Sequence, residues 1–166
     1  MQDTDEAEFR SFVAARQTAL LRTAFLLTGS WHSGEDLLQT ALTKTYLAWP
    51  RIKDKSLAER YVRTTMSRTA VSWWRRRWTD EHATDELPEV AVEDPSYDTR
   101  EELWRALNTL PARQRAVLVL RFYEDLTEAG IADVLGCSTG SVKSHASRGL
   151  KALRERLGDN VNGVTQ

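Results

Sequence analysis

The stretch from Thr127 to Leu157 constrains the fold more than any other part of the chain. It holds two amphipathic helical segments separated by a break that has room only for a tight turn. Thr127 is placed to cap the first segment, because its hydroxyl can accept a hydrogen bond from a free amide of the opening turn. Ile131 and Leu135 lie four residues apart and share a face. Gly136 then supplies a residue at ease in the left-handed conformation with which helices often end. Ser138 can cap the second segment, where Val142, Ala146, Leu150, Leu153 and Leu157 recur at helical spacing as one inward stripe. On the same wheel Ser141, Ser144, Ser147, Arg148 and Lys151 point the other way, with Lys143 on the flank. Small hydroxyls among cations suit a helix that approaches the major groove of a duplex, as the second helix of a helix-turn-helix does. An ordinary helical hairpin with a solvated polar face has the same apolar spacing, and this stretch alone does not separate the two.

Charge is distributed in blocks. The net charge is −1, yet residues 1–78 hold 13 Lys and Arg against 8 Asp and Glu, residues 79–98 hold none against 8, and residues 99–166 hold 10 against 8. Two basic blocks thus flank a wholly acidic spacer, and a basic helix can bind a polyanion despite the acidic average. The single cysteine, Cys137, excludes an internal disulfide and leaves a cysteine metal cluster without partners. It falls in the turn, where a small apolar side chain is expected. There is no apolar run near the ~20 residues that span a bilayer, and the acidic N-terminus lacks a signal-peptide pattern. A soluble, cytoplasmic protein with no membrane association is expected.

In the first block, Glu6 to Thr28 reads as an amphipathic helix through Phe9, Phe12, Val13, Leu20, Ala24 and Leu27, stopped by Gly29. Ser33-Gly34-Glu35-Asp36 opens a second helix with a hydroxyl cap and early carboxylates that complement the helix dipole. It carries Leu37, Leu38, Ala41, Leu42 and Ala48 and ends at Trp49-Pro50. A loop from Arg51 to Ser56 leads into a third helix, about Leu57 to Trp78, with Val62, Met66, Ala70 and Trp73 inward. Arg60, Arg63, Arg68, Arg75, Arg76 and Arg77 lie along it, and no acid intervenes between Arg60 and Trp78. Arginines interleaved with Tyr61, Trp73, Trp74 and Trp78 suit single-stranded or melted nucleic acid, where each base stacked on an aromatic contributes roughly 1–3 kcal/mol. Tryptophans at helical spacing are equally explained as core, which is the assignment for Trp73; Trp74 stays open.

Residues 79–98, with Pro88 and Pro95 and almost no apolar periodicity, read as a flexible, extended acidic linker. It is either a solvated tether or a mimic of nucleic-acid phosphate. From Thr99 a helix carries Leu103, Leu107 and Leu110. Pro111 begins the next, where its missing amide costs nothing. Val117, Leu118, Leu120 and Phe122 make that a core helix, with Arg121 projecting near the helix-turn-helix. The fold class is therefore all-α: two small helical domains, 1–78 and 99–158, joined by the flexible acidic linker. The second is a four-helix domain containing the helix-turn-helix, and residues 159–166 form a disordered tail.

Four motifs occur in order: Gly34-Glu35-Asp36-Leu37-Leu38-Gln39-Thr40-Ala41-Leu42 with Tyr46 and Trp49; Ser72-Trp73-Trp74-Arg75-Arg76-Arg77; Leu110-Pro111-Ala112-Arg113-Gln114-Arg115; and Gly140-Ser141-Val142-Lys143-Ser144. With them the chain, from Phe9 to Leu157, resembles the extracytoplasmic-function (group IV) RNA polymerase sigma factors, in particular their actinobacterial SigE-like branch. The resemblance implies an alternative sigma factor that binds bacterial core RNA polymerase and directs promoter-specific transcription initiation. Residues 1–78 would correspond to sigma region 2 and 99–158 to sigma region 4. Docking on the clamp of the polymerase largest subunit would fall to Asp36, Leu37, Gln39, Leu42, Tyr46 and Trp49. Opening the −10 element and holding a flipped base would fall to Lys53, Lys55, Arg60, Arg63, Ser67, Arg68 and Arg76. Arg113, Arg121, Ser141, Lys143, Ser144, Ser147, Arg148 and Lys151 would read the −35 duplex. The flap of the second-largest subunit and an anti-sigma factor are the further partners the likeness suggests. Three residues depart from the usual pattern: Thr40 stands where Glu is common, His145 where Arg is common, and Ser147 where a larger side chain occurs.

Two rival classes remain at this stage. A stand-alone helix-turn-helix regulator accounts for the second block but leaves the Arg/Trp segment unexplained; such regulators commonly bind palindromic half-sites as dimers. An enzyme would need a phosphate loop, a metal-ligand spacing or a nucleophile–base set, and none is legible. His32, His82 and His145 lie in a loop, the spacer and the groove helix. The expectation is no catalytic residue, no cofactor and no metal.

Overall fold

The computed structural model describes residues 2–79 and 97–158, and the regular structure there is helical throughout. Seven α-helices are present: α1 Asp3–Thr28, α2 Trp31–Ala48, α3 Ala58–Thr79, α4 Tyr97–Asn108, α5 Ala112–Leu118, α6 Glu128–Leu135 and α7 Thr139–Leu157. Packing divides the chain into two units, with the boundary between Ser72 and Trp73, inside α3. Residues 80–96 of the segment read above as linker, and 159–166 read as tail, lie outside the described residues; Thr79 ends α3, and α4 begins at Tyr97, two residues before the expected helix start.

In the first unit, Gly29 takes the left-handed conformation (φ 94°) that stops α1, and its N–H bonds to the Phe25 carbonyl. The cap of α2 is Ser30, not Ser33: the Ser30 hydroxyl accepts the Ser33 N–H at 3.1 Å, because α2 begins three residues earlier than the sequence suggests. The core of the unit is Leu20, Ala24 and Leu27 from α1, Leu37, Leu38, Ala41, Leu42 and Ala48 from α2, and Ala58, Val62, Met66 and Ala70 from α3. Burying each of the larger side chains contributes about 1.5–3 kcal/mol. Phe9 and Phe12 stand at its edge, where Phe9 meets the rings of Tyr46 and Trp49 edge-on at 5.2 Å each. Glu59, in the first turn of α3, binds Arg63 at 3.1 Å and also receives the Arg16 guanidinium from α1.

At Gly34 the backbones of α1 and α2 approach closely. A β-carbon built there would lie 3.1 Å from the Phe25 amide nitrogen and 3.2 Å from its Cα, which are backbone atoms that cannot turn aside. Gly34→Ala is therefore expected to lower stability by about 1–2 kcal/mol, although alanine is the better helix former by about 1 kcal/mol. Chemical denaturation of the full chain measures this; an unchanged or raised stability would mean that the helices separate freely.

In the second unit, Ala106, Leu110, Ala116, Val117, Leu118, Val119, Leu120, Ile131, Val134, Leu135, Val142, Ala146 and Leu153 form the core. Leu103, expected inward, is exposed, and so is Phe122, with 60% of its surface accessible. The cause at Phe122 is a π-helical turn, Val119–Tyr123, that follows α5. Its wider winding takes residue i+4 off the face of residue i, so Phe122 no longer follows Leu118 inward. Arg115 is fully buried, with Nε donating to the Leu107 carbonyl at 3.0 Å and Nη2 to the Asn108 carbonyl at 2.8 Å. These carbonyls close α4, where helical partners run out and a cation is favoured by the helix dipole.

Candidate nucleic-acid interface

The α6–α7 pair is assembled by local capping. The Thr127 hydroxyl accepts the Gly130 N–H at 3.0 Å, Gly136 ends α6 at φ 67°, and the Ser138 hydroxyl accepts the Ser141 N–H at 3.1 Å. All three assignments made from sequence hold. On α7, Val142, Ala146 and Leu153 are buried, while Leu150 and Leu157 are only half-buried. Gly149 completes the inward face: a β-carbon there would lie 3.0 Å from Leu118 Cδ1, so glycine admits α5 against α7.

The outward face of α7 presents Lys143, Ser144, Ser147, Arg148 and Lys151, all exposed, with Ser141 half-buried at the first turn. Arg113 and Arg121 of the preceding segment are half-buried. Glu128, overlooked in the sequence, sits among these cations. Its carboxylate accepts from Arg121 Nη1 at 2.9 Å and lies 3.8 Å from Lys143 Nζ. Such partly exposed pairs contribute at most about 1 kcal/mol, so both cations can exchange the carboxylate for a phosphate. The acid's place as the first residue of α6 was the available signal. His145 is likewise absent from the site residues that the sequence suggests. It is half-buried, and burial, with the Arg113 and Arg148 charges, holds its imidazole below the ordinary pKa.

On α3, Arg60 and Arg68 are exposed in the first unit, with Tyr61 exposed beside Arg60, and Arg75 and Arg76 are exposed near the end of the helix. Two members of the sequence-derived set do not belong to a surface. Ser67 is fully buried and its hydroxyl donates to the Arg63 carbonyl at 2.9 Å; Arg63 is half-buried and held by Glu59. Lys55 is also turned inward: Nζ donates to the Trp49 carbonyl at 2.5 Å and lies 4.6 Å from the centre of the Trp49 ring. Lys53 is exposed. Next to it, Asp54 accepts from the Ser56 hydroxyl at 2.6 Å and the Ser56 N–H at 3.0 Å, and these bonds hold its carboxyl below the ordinary carboxylate pKa. Trp73 is half-buried, between the two readings the sequence allowed.

A third surface is the outer side of α2. Asp36, Gln39, Thr43, Tyr46 and Leu47 are exposed there, Leu47 with 68% of its surface accessible. Leu37, Leu42 and Trp49, named with them from sequence, are instead buried in the core. They occupy the inner stripe of the helix, which α1 and α3 need in order to close the unit.

Two helical units, one with an arginine-lined helix and one with a helix-turn-helix, define a DNA-binding protein of the transcription machinery. The Sigma-70 region 2 family profile matches residues 12–79 and the Sigma-70, region 4 profile matches residues 100–153. The RNA polymerase sigma-E factor of Streptomyces coelicolor is 43% identical over 152 residues, 90% of this chain and 86% of that protein. The sigma factor SigV of Bacillus subtilis is 26% identical over 94% of this chain and 95% of its own length. Among solved structures, the sigma factor RpoE of Bartonella quintana, in complex with the anti-sigma factor NepR, superposes with a TM-score of 0.72 at 25% identity, covering 92% of this chain and 98% of that one. The chain belongs to the extracytoplasmic-function RNA polymerase sigma factors, of the actinobacterial SigE type. It is an alternative sigma factor that directs promoter-specific transcription initiation.

Proposed function

We propose that three separate surfaces of the chain divide the work of promoter recognition. The outer side of α2, through Asp36, Gln39, Tyr46 and the neighbouring Leu47, docks on the clamp of the largest subunit of core RNA polymerase. Arg60 and Arg68 of α3, with Lys53 from the preceding loop, engage the −10 element as its strands part, and Arg76 is the proposed further contact. Arginines meet the phosphates and Tyr61 offers a face for an unpaired base. The outward face of α7, through Lys143, Ser144, Ser147, Arg148 and Lys151 with Arg113 and Arg121, lies in the major groove of the −35 element.

The observation that carries this reading is that face of α7: small hydroxyls between cations on a helix whose opposite side packs into the core through Val142, Ala146, Gly149 and Leu153. Residues 1–78 and 99–158 act as the two promoter-binding domains, and 79–98 as the acidic tether between them. The polymerase flap is the proposed seat of the second domain. An anti-sigma factor is the proposed regulator, by analogy with the complex of the Bartonella quintana relative. Among the described residues no helix is long and apolar enough to cross a membrane, and the proposed place of action is the cytoplasm. Promoter-specific transcripts from the purified chain mixed with bacterial core polymerase would support the whole scheme. Duplex binding without polymerase, on palindromic sites, would replace it with a stand-alone regulator.

Two substitutions test α7. Lys143→Ala and Arg148→Ala are each expected to weaken −35-dependent transcription and to lower the slope of log affinity against log salt by about one for each phosphate left without its cation. A variant whose loss is confined to one base pair would mark that side chain as a reader of the base edge. Unchanged promoter use by both variants would remove α7 from the groove.

A further inference from the structure

We propose that His145 reads the −35 duplex as a neutral imidazole, donating one hydrogen bond from Nε2–H to a base-edge acceptor in the major groove. This rests on the reading of α7 as the groove helix. The geometry sets the ring's chemistry. Nδ1 is enclosed by the protein and has no hydrogen-bond partner, which leaves Nε2 as the ring nitrogen open to a ligand. An enclosed N–H without an acceptor is rarer and harder to sustain than an enclosed lone pair. The proton of the neutral ring is therefore assigned to Nε2, and the ring offers one donor outward.

Charge enforces the same state. The charged groups that bear on the ring are Arg113, reaching from α5, and Arg148, three residues along α7. Burial and then these two cations keep the imidazole below its ordinary pKa, so it is uncharged at neutral pH. Both cations and the enclosed Nδ1 oppose a second proton.

A neutral donor has a use that a further arginine lacks. Lys143, Arg148 and Lys151 already supply charge, and each phosphate contact raises affinity for every sequence alike. A single uncharged N–H among them adds discrimination without that general attraction. Acceptors within its chemistry are guanine O6 and N7, adenine N7 and thymine O4.

The test uses holoenzyme assembled from the full chain and bacterial core polymerase, with a duplex library randomised through the upstream and downstream elements. Wild type is expected to select a preferred base pair that H145A flattens by about tenfold. H145Q, which keeps a neutral N–H donor, is expected to retain part of that preference. H145A should leave the salt slope unchanged, whereas H145R should steepen it by about 0.9 and bind unselected duplex more tightly. Affinity measured from pH 6 to 8 should vary alike for wild type and H145Q. The proposal is overturned if H145A selects the same sequences as wild type. It is overturned as well if wild-type affinity climbs on acidification while that of H145Q does not, since the ring would then act as an imidazolium. Lys143→Ala and Arg148→Ala, run in parallel, locate a failure: responsive Lys and Arg with a silent histidine sink this proposal alone, and silence at all three sinks the groove assignment of α7.

Discussion

Arg115→Ala is expected to destabilise the second unit by roughly 3–4 kcal/mol, a larger loss than truncating any exposed arginine of the chain. The guanidinium is fully enclosed, and its fork spans the Leu107 and Asn108 carbonyls at 3.0 and 2.8 Å. Hydrogen bonds from a charged donor contribute about 1.5–3 kcal/mol each, and alanine would remove both of them and leave a cavity, with the Leu107 carbonyl keeping its 3.1 Å bond from the Leu110 N–H. Arg115→Lys is expected to recover less than half of the loss, because an ammonium is a point donor and cannot hold two carbonyls in a planar fork. Hydrogen exchange on the full chain separates this from a general effect: amides of α4, α5 and α7 should lose protection while those of α1 and α2 keep theirs. Destabilisation below about 1 kcal/mol would mean that water replaces the guanidinium without penalty. Because α5 and α7 share Leu118 and Gly149 at their crossing, the same variant is expected to weaken −35 recognition without touching a DNA-facing residue.

The features legible in the sequence are those decided within a turn of helix. Thr127, Gly136 and Ser138 act as read, since a cap or a left-handed stop depends only on the next three or four residues. The apolar stripes of α1, α2 and α3 are legible for the same reason. Arg115 is not, because a cation in an apolar run signals a surface, and only the arrival of the last carbonyls of α4 makes a buried site for it. The π-helical turn hides Phe122, since a wheel drawn at 3.6 residues per turn returns it to the core. At the candidate site the buried members share one origin. Motif likeness names Leu37, Leu42, Trp49 and Ser67 together with their exposed neighbours, and a motif does not distinguish residues that touch a partner from residues that hold the helix in place. Glu128 escapes a linear reading, and His145 is marked in it only as a departure from the usual Arg, for the converse reason: their importance lies in what surrounds them in space, Arg121 and Lys143 for one, Arg113 and Arg148 for the other.

Leu42 and Leu47, five residues apart on α2, give the sharpest separation of scaffold from surface. Leu42→Asp places a carboxylate in the core of the first unit, where 7% of the native residue is accessible. A buried, unpaired charge with the loss of a leucine is expected to cost more than about 4 kcal/mol, enough to unfold a unit of this size. Any loss of polymerase binding by that variant would report on folding. Leu47→Asp has little core to lose and is expected to change stability by no more than about 0.5 kcal/mol. If the outer side of α2 is the docking face, the same carboxylate would be driven into the apolar centre of an interface flanked by Tyr46 and Gln39. Truncating such a centre costs about 2 kcal/mol or more, a loss of at least about thirtyfold in affinity. Thermal unfolding and co-purification with core polymerase, run on both variants, give the decisive pattern: Leu42→Asp unfolded, Leu47→Asp folded and unbound. A folded Leu47→Asp chain that still co-purifies would move the polymerase contact off α2 altogether, because no other exposed leucine of that helix remains to carry it.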